Sequence, residues 1–545
     1  MTKARIALMV ALSACTPTRV EHRPGVLTIS QEQTAAWVRN FNPLLSGGMA
    51  RWPTAHGIYE PLMIFNPMVN EYVPWLATSM EWIEGAEILE VTLRDGVLWS
   101  DGEPFNAEDL AFTAQLMKRE RALDGAGLWT YAEAVRATGT HTVEVEFSRP
   151  YSPGRDLVAG LITVPEHQWS GVEDPVRFTN DEPVATGPFT EIVRFDPQVW
   201  EIERNPTYWQ GPVAVKALRF PAFPTNEQAT LALIHGEVDW AANFVPAIDR
   251  IFVDRDPEHH RYWFPAVAGA IYLYPNHTVP ALADARVREA VSRALNRDRI
   301  AQVAMYDYTG PADATGLSEG HGDWKHNNPI NDWSVYSPDN AGNLLDEAGW
   351  TRNSDGIRVN NNGDPLTLEV ATVAGWSDWV RAAQLIATDL SAVGIQARIR
   401  SHDFSAWFER LQRGEFELSI GWTIDGASPY AHYRHMMANN LVKPVGESAP
   451  LNWHRYGTAR AAALLDQWAA SADSDAQLGF AHELQDAFNR EVPAIPLFLN
   501  PSWGECSTRR FTGWPSPENP YARLSPNHGA ESLLVMTQLQ PVVQP

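Results

Sequence analysis

Leu93-Arg94-Asp95-Gly96-Val97-Leu98-Trp99-Ser100-Asp101-Gly102-Glu103-Pro104-Phe105-Asn106-Ala107-Glu108-Asp109-Leu110 is the most informative stretch of this 545-residue chain. Leu89, Val91 and Leu93 alternate with polar residues, so a strand with one buried face runs up to the Asp95-Gly96 turn. A short strand and a second turn at Asp101-Gly102 follow, and a helix then opens at Asn106. Asn106 suits an N-cap, and Glu108 and Asp109 place negative charge in the first turn, where the helix dipole favours it. None of these residues does chemistry; they specify architecture.

The same grammar recurs on both sides. A first strand lies near Leu27 to Ile29, and a helix over 227–235 is closed by Gly236, after which Val238 to Trp240 lead into a strand. From Asp284 the residues Val287, Ala290, Val291, Ala294 and Leu295 form one apolar helical stripe, with Arg286, Arg288 and Arg293 off it. Helices over 338–350 and 379–393 end at Gly349 and Gly394, and 366–373 alternates as a strand. Pro515, Pro517 and Pro520 make the C-terminal segment an irregular loop. Alternating strands and helices with several long connections predict an α/β protein of two lobes.

Composition excludes one partner class. The formal net charge is −24, from 66 acidic and 42 basic residues. Nucleic-acid binding relies on clustered Lys and Arg to neutralise phosphates, and the chain shows no such cluster. Twenty-two tryptophans in so acidic a chain invite a ligand that stacks, and sugar rings present apolar C–H faces to indoles while their hydroxyls seek polar neighbours.

The N-terminus reads as a targeting segment. Lys3 and Arg5 precede an apolar run over 6–12, about half the roughly 20 residues that span a bilayer, so it is a signal core and not a membrane helix. Leu12-Ser13-Ala14-Cys15 resembles a lipoprotein processing box, which implies that Cys15 carries lipid and anchors the mature chain to a membrane surface. Cys506 is then the only other thiol, and no intramolecular disulfide is expected.

The stretch from Leu93 to Leu110 resembles the signature of family 5 extracytoplasmic solute-binding proteins of ABC importers, the oligopeptide, nickel and oligosaccharide group. Further landmarks extend the resemblance over about residues 25–530: Tyr59-Glu60-Pro61-Leu62, Val73-Pro74-Trp75-Leu76-Ala77, Thr186-Gly187-Pro188-Phe189 and Asn205-Pro206-Thr207-Tyr208-Trp209. It implies the large, peptide-binding-like form of the periplasmic-binding-protein fold, with an extra N-terminal subdomain. Residues 1–14 are then the signal peptide and 15–27 a tether. Lobe I takes 28–60, 185–270 and 490–545, its subdomain 61–184, and lobe II 271–489. Crossings between the lobes are expected near 270 and 490, with ligand captured between them by hinge closure.

Three segments look closest to the members that bind β-linked oligosaccharides of the cellobiose and chitobiose type: Asp239 to Pro246, Ala374 to Trp379 and Thr512 to Ala522. The resemblance places Trp376 and Trp514 as two platforms that sandwich sugar rings. Gly375 and Gly513 leave the backbone before each indole unencumbered, and Pro515 stiffens the chain behind the second. Asn243, Asp378 and Asp425 are candidate hydroxyl partners, Trp422 a candidate extension of the platform, and Trp37, Arg39 and Asn42 candidate lining from the first lobe. The alternative is an oligopeptide carrier, whose ligands are held by salt bridges and main-chain pairing. A monomer working with ABC permease subunits is expected in either case, without a cofactor.

Two further patterns point elsewhere. Gly316-Leu317-Ser318-Glu319-Gly320 matches a nucleophile elbow, but its flanks read as loop where the motif needs a strand and a helix. His432-x-x-His435 and His259-His260 lack cysteine or carboxylate at metal-ligand spacing, so they read as core or solvated histidines. An extracytoplasmic hydrolase is a third reading, but no segment resembles a glycosidase active site, so neither catalysis nor metal binding is expected.

Overall fold

The computed structural model describes residues 23–542 except 32, 46–53, 268, 327–330 and 425. Cys15 and Asp425 therefore lie outside the described residues.

The opening motif folds as its residues dictate. The Asn106 side chain accepts from Glu108 N at 2.8 Å and Asp109 Oδ2 accepts from Asn106 N at 3.0 Å, a reciprocal cap on the helix Ala107–Arg119. Asp109 also accepts from Trp99 Nε1 and from Glu166 N, so one buried carboxylate ties the helix start to two distant segments. The short strand expected after Gly96 reduces to a single bridge, Leu98 with Pro104.

Two sheets define two lobes. The first runs His260–Tyr262, Glu505–Ser507, Trp240–Ala241, Val26–Ser30, Ala217–Pro221, Val199–Arg204, Phe189–Asp196, with Val26–Ser30 parallel to both its neighbours. The second runs Gln396–His402, Thr367–Val373, Leu418–Gly421, Ala270–Pro275, Ile495–Leu499. A separate four-stranded antiparallel sheet (Ala77–Glu84, Ile88–Leu93, Thr142–Phe147, Ala132–Gly139) carries the opening motif and forms the N-terminal subdomain. The chain passes between the two large sheets at 263–269 and 500–504, where the expectation was near 270 and 490. There Trp263 N donates to Gly504 O (2.9 Å), Ser502 N to Pro265 O (3.0 Å) and Asn500 N to Gly269 O (3.0 Å), so the two crossings form one hydrogen-bonded ribbon. A two-strand connection of this kind bends more easily than the packed lobes on either side of it.

Burial sorts the tryptophans. Seven of the 22 are fully enclosed (Trp99, Trp169, Trp200, Trp240, Trp333, Trp407 and Trp468), so much of the aromatic content is core. Among the described residues no helix is long and apolar enough to cross a membrane.

The histidine pairs are structural. His432 Nε2 meets Tyr272 Oη at 3.0 Å and its Nδ1 meets Thr423 Oγ1 at 3.3 Å, while His260 Nδ1 meets Phe252 O at 2.8 Å. His435 is fully buried, stacked 6.0 Å from Tyr274 and edge-on to Trp453 at 4.4 Å, and neither ring nitrogen has a hydrogen-bond partner. Burial, helped by the Arg434 charge, pushes its pKa down to about 3. A depressed folded-state pKa gives stability that is complete above the unfolded value near 6.5 and is lost as pH falls from there toward 3. His435→Leu removes both the orphaned polar group and this titration. The variant is expected to match or exceed the parent by about 1 kcal/mol at pH 7, and the gap should widen by about 2 kcal/mol at pH 5. Urea unfolding at the two pH values checks this; parallel pH dependence in the two proteins would contradict it.

Candidate functional site

Ligands of open α/β folds sit beyond the carboxyl ends of parallel strands. In lobe I those ends are Ser30 and Ala241, which pair with each other. Just past them lie Asn243 and Phe244, and alongside runs the second crossing with Ser502 and Trp503, leading into Glu505. Asn243 N donates to Glu505 Oε2 at 3.3 Å and Asn243 Nδ2 to Thr230 Oγ1 at 3.3 Å. Ser30 Oγ, Asn243 Oδ1, Ser502 Oγ, Glu505 Oε1 and Asn527 Oδ1 are buried without a partner, a concentration of orphaned polar atoms at one end of one sheet. Burial raises the Glu505 carboxyl well above its ordinary range.

Lobe II faces this region with the turn that ends Thr367–Val373 and starts the helix Ser377–Ala392. The two lobes touch there: Asn226 N, at the start of the lobe I helix Asn226–Ile234, donates to Gly375 O at 3.3 Å, and a β-carbon on Gly375 would lie 2.9 Å from Pro224 O. Asp378 is buried at this junction, accepting from the Asn226 side chain and from its own helix's first N–H groups, and burial pushes its carboxyl up to about 6. One turn further along that helix, the Arg381 guanidinium lies 5.3 Å from the Tyr306 ring centre and 6.0 Å from that of Phe244 across the lobe boundary; its Nη1 is buried and has no hydrogen-bond partner. Phe244 in turn meets the Trp503 ring edge-on at 5.5 Å.

Beside this junction lies an aromatic slab. Phe404, Phe408 and Trp422 are mutually near-parallel, with interplanar angles of 7°, 12° and 18° and centroids 5.8–6.3 Å apart. Trp376 joins them, 6.3 Å from Trp422 and edge-on to Trp379 at 4.7 Å. Trp376, Phe404, Phe408 and Trp422 are all partly exposed, whereas Trp379 and Trp407 behind them are buried. The i,i+4 spacing of Phe404 and Phe408 on the helix Phe404–Arg413 sets their alignment.

The structure thus brings Trp376, Trp422, Asp378 and Asn243 to the facing ends of the two lobes. It corrects four other assignments. Trp514 is only 9% exposed; its Nε1 donates to Phe511 O at 2.9 Å, and its ring packs against the enclosed Trp240 at 5.6 Å. It is lobe I core, because its loop folds down onto the sheet. Asn42 is fully buried and its amide donates to Pro175 O and Phe178 O, both at 2.9 Å. Arg39 reaches Glu182 (2.7 Å) and Asp181 O (3.0 Å) at the surface. Trp37 is buried, its backbone N donating to Pro197 O in the turn between Phe189–Asp196 and Val199–Arg204. These three pin the loop after the first strand to lobe I's own framework.

Asp378 is placed at the site but is already engaged between lobes, which differs from the role of a free hydroxyl partner. Arg381, Phe244 and Trp503 were not singled out from sequence. Arg381 carried one signal, a charge one helical turn beyond Asp378, while the other two arrive through long-range folding. Ser318 is buried and its hydroxyl donates to Val267 O at 3.0 Å, in a loop before the 3-10 helix Glu319–Trp324, so the G-x-S-x-G match has neither the strand nor the helix a nucleophile elbow requires. Among the described residues, His, Cys, Asp and Glu form no group of three or more that could hold a metal ion.

The model of the bacterial extracellular solute-binding proteins, family 5 Middle, matches residues 71–441. A provisionally assigned ABC transporter peptide-binding protein of Brucella ovis is 28% identical over 323 residues, which cover 57% of this chain and 58% of that relative's length. The di/tripeptide-binding protein 2 of Pseudomonas aeruginosa is 24% identical over 534 residues, 93% of this chain and 95% of that one. A Thermotoga maritima periplasmic oligopeptide-binding protein of an ABC transporter, solved with mannohexaose bound, superposes with a TM-score of 0.88 at 24% identity, covering 96% of this chain and 100% of that one. At that identity the likeness concerns the fold.

Proposed function

This chain belongs to the bacterial extracellular solute-binding proteins of family 5, and from that premise we propose that it is the capture component of an ABC importer, closing its two lobes on a β-linked oligosaccharide. The observation that carries the reading is the partly exposed slab of Trp376, Phe404, Phe408 and Trp422 beside the lobe junction. Parallel rings of this extent offer a face to pyranose C–H groups, which stack on aromatic planes. Orphaned acceptors such as Asn243 Oδ1 and Ser30 Oγ, at the end of the lobe I sheet, are the type of group that sugar hydroxyls satisfy once closure excludes water. That a protein of the same fold holds mannohexaose supports the chemistry. We further propose that Cys15 anchors the mature chain by lipid outside the cytoplasm, where it delivers its solute to a permease.

A second reading rests on a different observation. Arg381, with a buried Nη1 that has no hydrogen-bond partner, stands one helical turn from the Asp378 carboxylate, and such opposite charges suit the two ends of a short peptide. Two relatives, from Brucella ovis and Pseudomonas aeruginosa, are peptide-binding proteins, which favours it as well.

Thermal shift separates the two. A ligand at one hundred times its Kd stabilises the folded state by about 2.7 kcal/mol. A panel of cello-, chito- and manno-oligosaccharides set against di- and tripeptides is expected to raise Tm with one sugar linkage, the shift growing with the logarithm of concentration above Kd. Stabilisation by peptides alone would overturn the sugar assignment and leave the family assignment standing.

A further inference from the structure

Besides the ribbon and the junction at Asn226 and Gly375, a further contact joins the halves of the molecule, made by the N-terminal subdomain. After the strand Thr142–Phe147 the chain turns through Arg149 to Ser152 and meets lobe II. Ser152 N donates to Ala469 O at 2.7 Å, its hydroxyl reaches Trp468 O at 3.4 Å, and Gln477 Nε2 donates to that hydroxyl at 3.0 Å. Trp468 and Ala469 lie in the last turn of the helix Ala459–Ala470, whose final carbonyls have no partners inside the helix. The subdomain therefore caps a lobe II helix.

Around that cap the contact is aromatic and cationic. Tyr151 stacks on Tyr131 at 3.9 Å and 6°, and meets lobe II's Tyr430 edge-on at 6.4 Å; all three rings are more than nine-tenths buried. The Arg434 guanidinium of lobe II lies 5.4 Å from the Tyr131 ring centre, and its Nε donates to the Tyr131 hydroxyl at 3.2 Å. At the rim Arg149 pairs with Asp466 at 2.8 Å, both exposed.

The subdomain is fastened far more heavily to lobe I. Glu60, fully buried at the junction, accepts from Trp75 Nε1 of the subdomain (2.6 Å) and from Tyr208 Oη (2.8 Å) and Trp209 Nε1 (3.1 Å) of lobe I. Ser100 N donates to Ala185 O (2.9 Å), Phe41 N to Thr179 O (2.7 Å) and Asn180 Nδ2 to Phe41 O (3.0 Å). Rotation about the crossing ribbon must break one attachment or the other, and the contact with lobe II is the lighter.

We propose that the Tyr131–Ser152 face of the subdomain is a clasp for lobe II that engages only in the closed form, so that solute affinity is set in part by residues that never touch the solute. A ligand that binds only the closed form has its apparent affinity reduced by the fraction of molecules that are closed. Weakening the clasp lowers that fraction without altering a single ligand contact.

The proposal rests on the hinged fold and not on the identity of the solute, and its test needs no ligand. Small-angle scattering of the full chain is compared for the parent, Arg434→Met, and Arg149→Cys/Asp466→Cys before and after treatment with a short bismaleimide. The expected result is a larger radius of gyration in Arg434→Met, or a smaller one once the cysteine pair is cross-linked, according to which form the parent populates. If all four profiles superpose, the contact is static and the proposal is overturned. Asp466→Lys, which sets like charges across an exposed pair, replaces Arg434→Met if that variant does not fold. As an added arm, the affinity for mannohexaose should fall about fivefold or more in Arg434→Met. No mannohexaose binding by the parent would count against the sugar reading alone, since the scattering result is independent of it.

Discussion

Trp514→Ala is expected to cost about 3 to 5 kcal/mol of folding stability, while solute affinity stays within about threefold of the parent, well under the tenfold that 1.4 kcal/mol represents. The indole is enclosed by lobe I, its N–H is bonded within its own loop to Phe511 O, and it supports Trp240, whose Nε1 in turn holds Leu524 O at 3.1 Å. Truncation leaves a cavity between the C-terminal loop and the central strands and removes an aromatic pair. Urea unfolding reads the first effect and titration calorimetry the second. Near-normal stability with lost binding would return Trp514 to the binding surface and undo its assignment to the core.

Trp376→Ala is expected to behave the opposite way. Affinity for the preferred sugar should fall more than tenfold, about 1.4 kcal/mol or more, with a smaller loss of stability than at Trp514 because the ring is partly exposed. Trp376 stands at the start of the Ser377–Ala392 helix, where lobe II meets Asn226 of lobe I, and its ring belongs to the same slab as Trp422. Trp376→Phe keeps an aromatic face and should recover much of the affinity, which a purely structural role for the ring's bulk would not explain. Unchanged affinity in Trp376→Ala would remove the slab from the binding surface.

The contrast between these two residues shows what the sequence could carry. Local chemistry was legible: the Asn106 N-cap, the helix stops at Gly349 and Gly394, each with positive φ, and the strand Thr367–Val373 of the lobe II sheet follow from neighbours in the chain. The two Gly-Trp dipeptides look alike in sequence but serve different surroundings. Gly513 has φ +92° and a β-carbon there would lie 2.8 Å from Gln538 O, so the glycine admits another stretch of lobe I backbone. Gly375 admits Pro224 O from the opposite lobe. In both, what approaches the glycine is the chain itself, a fact only the fold supplies. Arg381, Phe244 and Trp503 come from segments more than a hundred residues apart, and no local pattern links them. Trp37, Arg39 and Asn42 follow a lobe I strand as expected, yet their partners at 175–182 and 197 turn them into framework. Family likeness supplied the two-lobed fold class, whereas burial and hydrogen bonding distinguish the enclosed Trp514 from the partly exposed Trp376.

The most direct test of the account is titration calorimetry of the mature chain with mannohexaose, cellohexaose and a mixed tripeptide. The expected result is saturable binding of one hexasaccharide, with one site per chain and a negative heat-capacity change from burial of the sugar faces on the aromatic slab. Binding of the tripeptide with no heat from either sugar would contradict it, and would assign the lobe junction to Arg381 and Asp378 as holders of peptide ends.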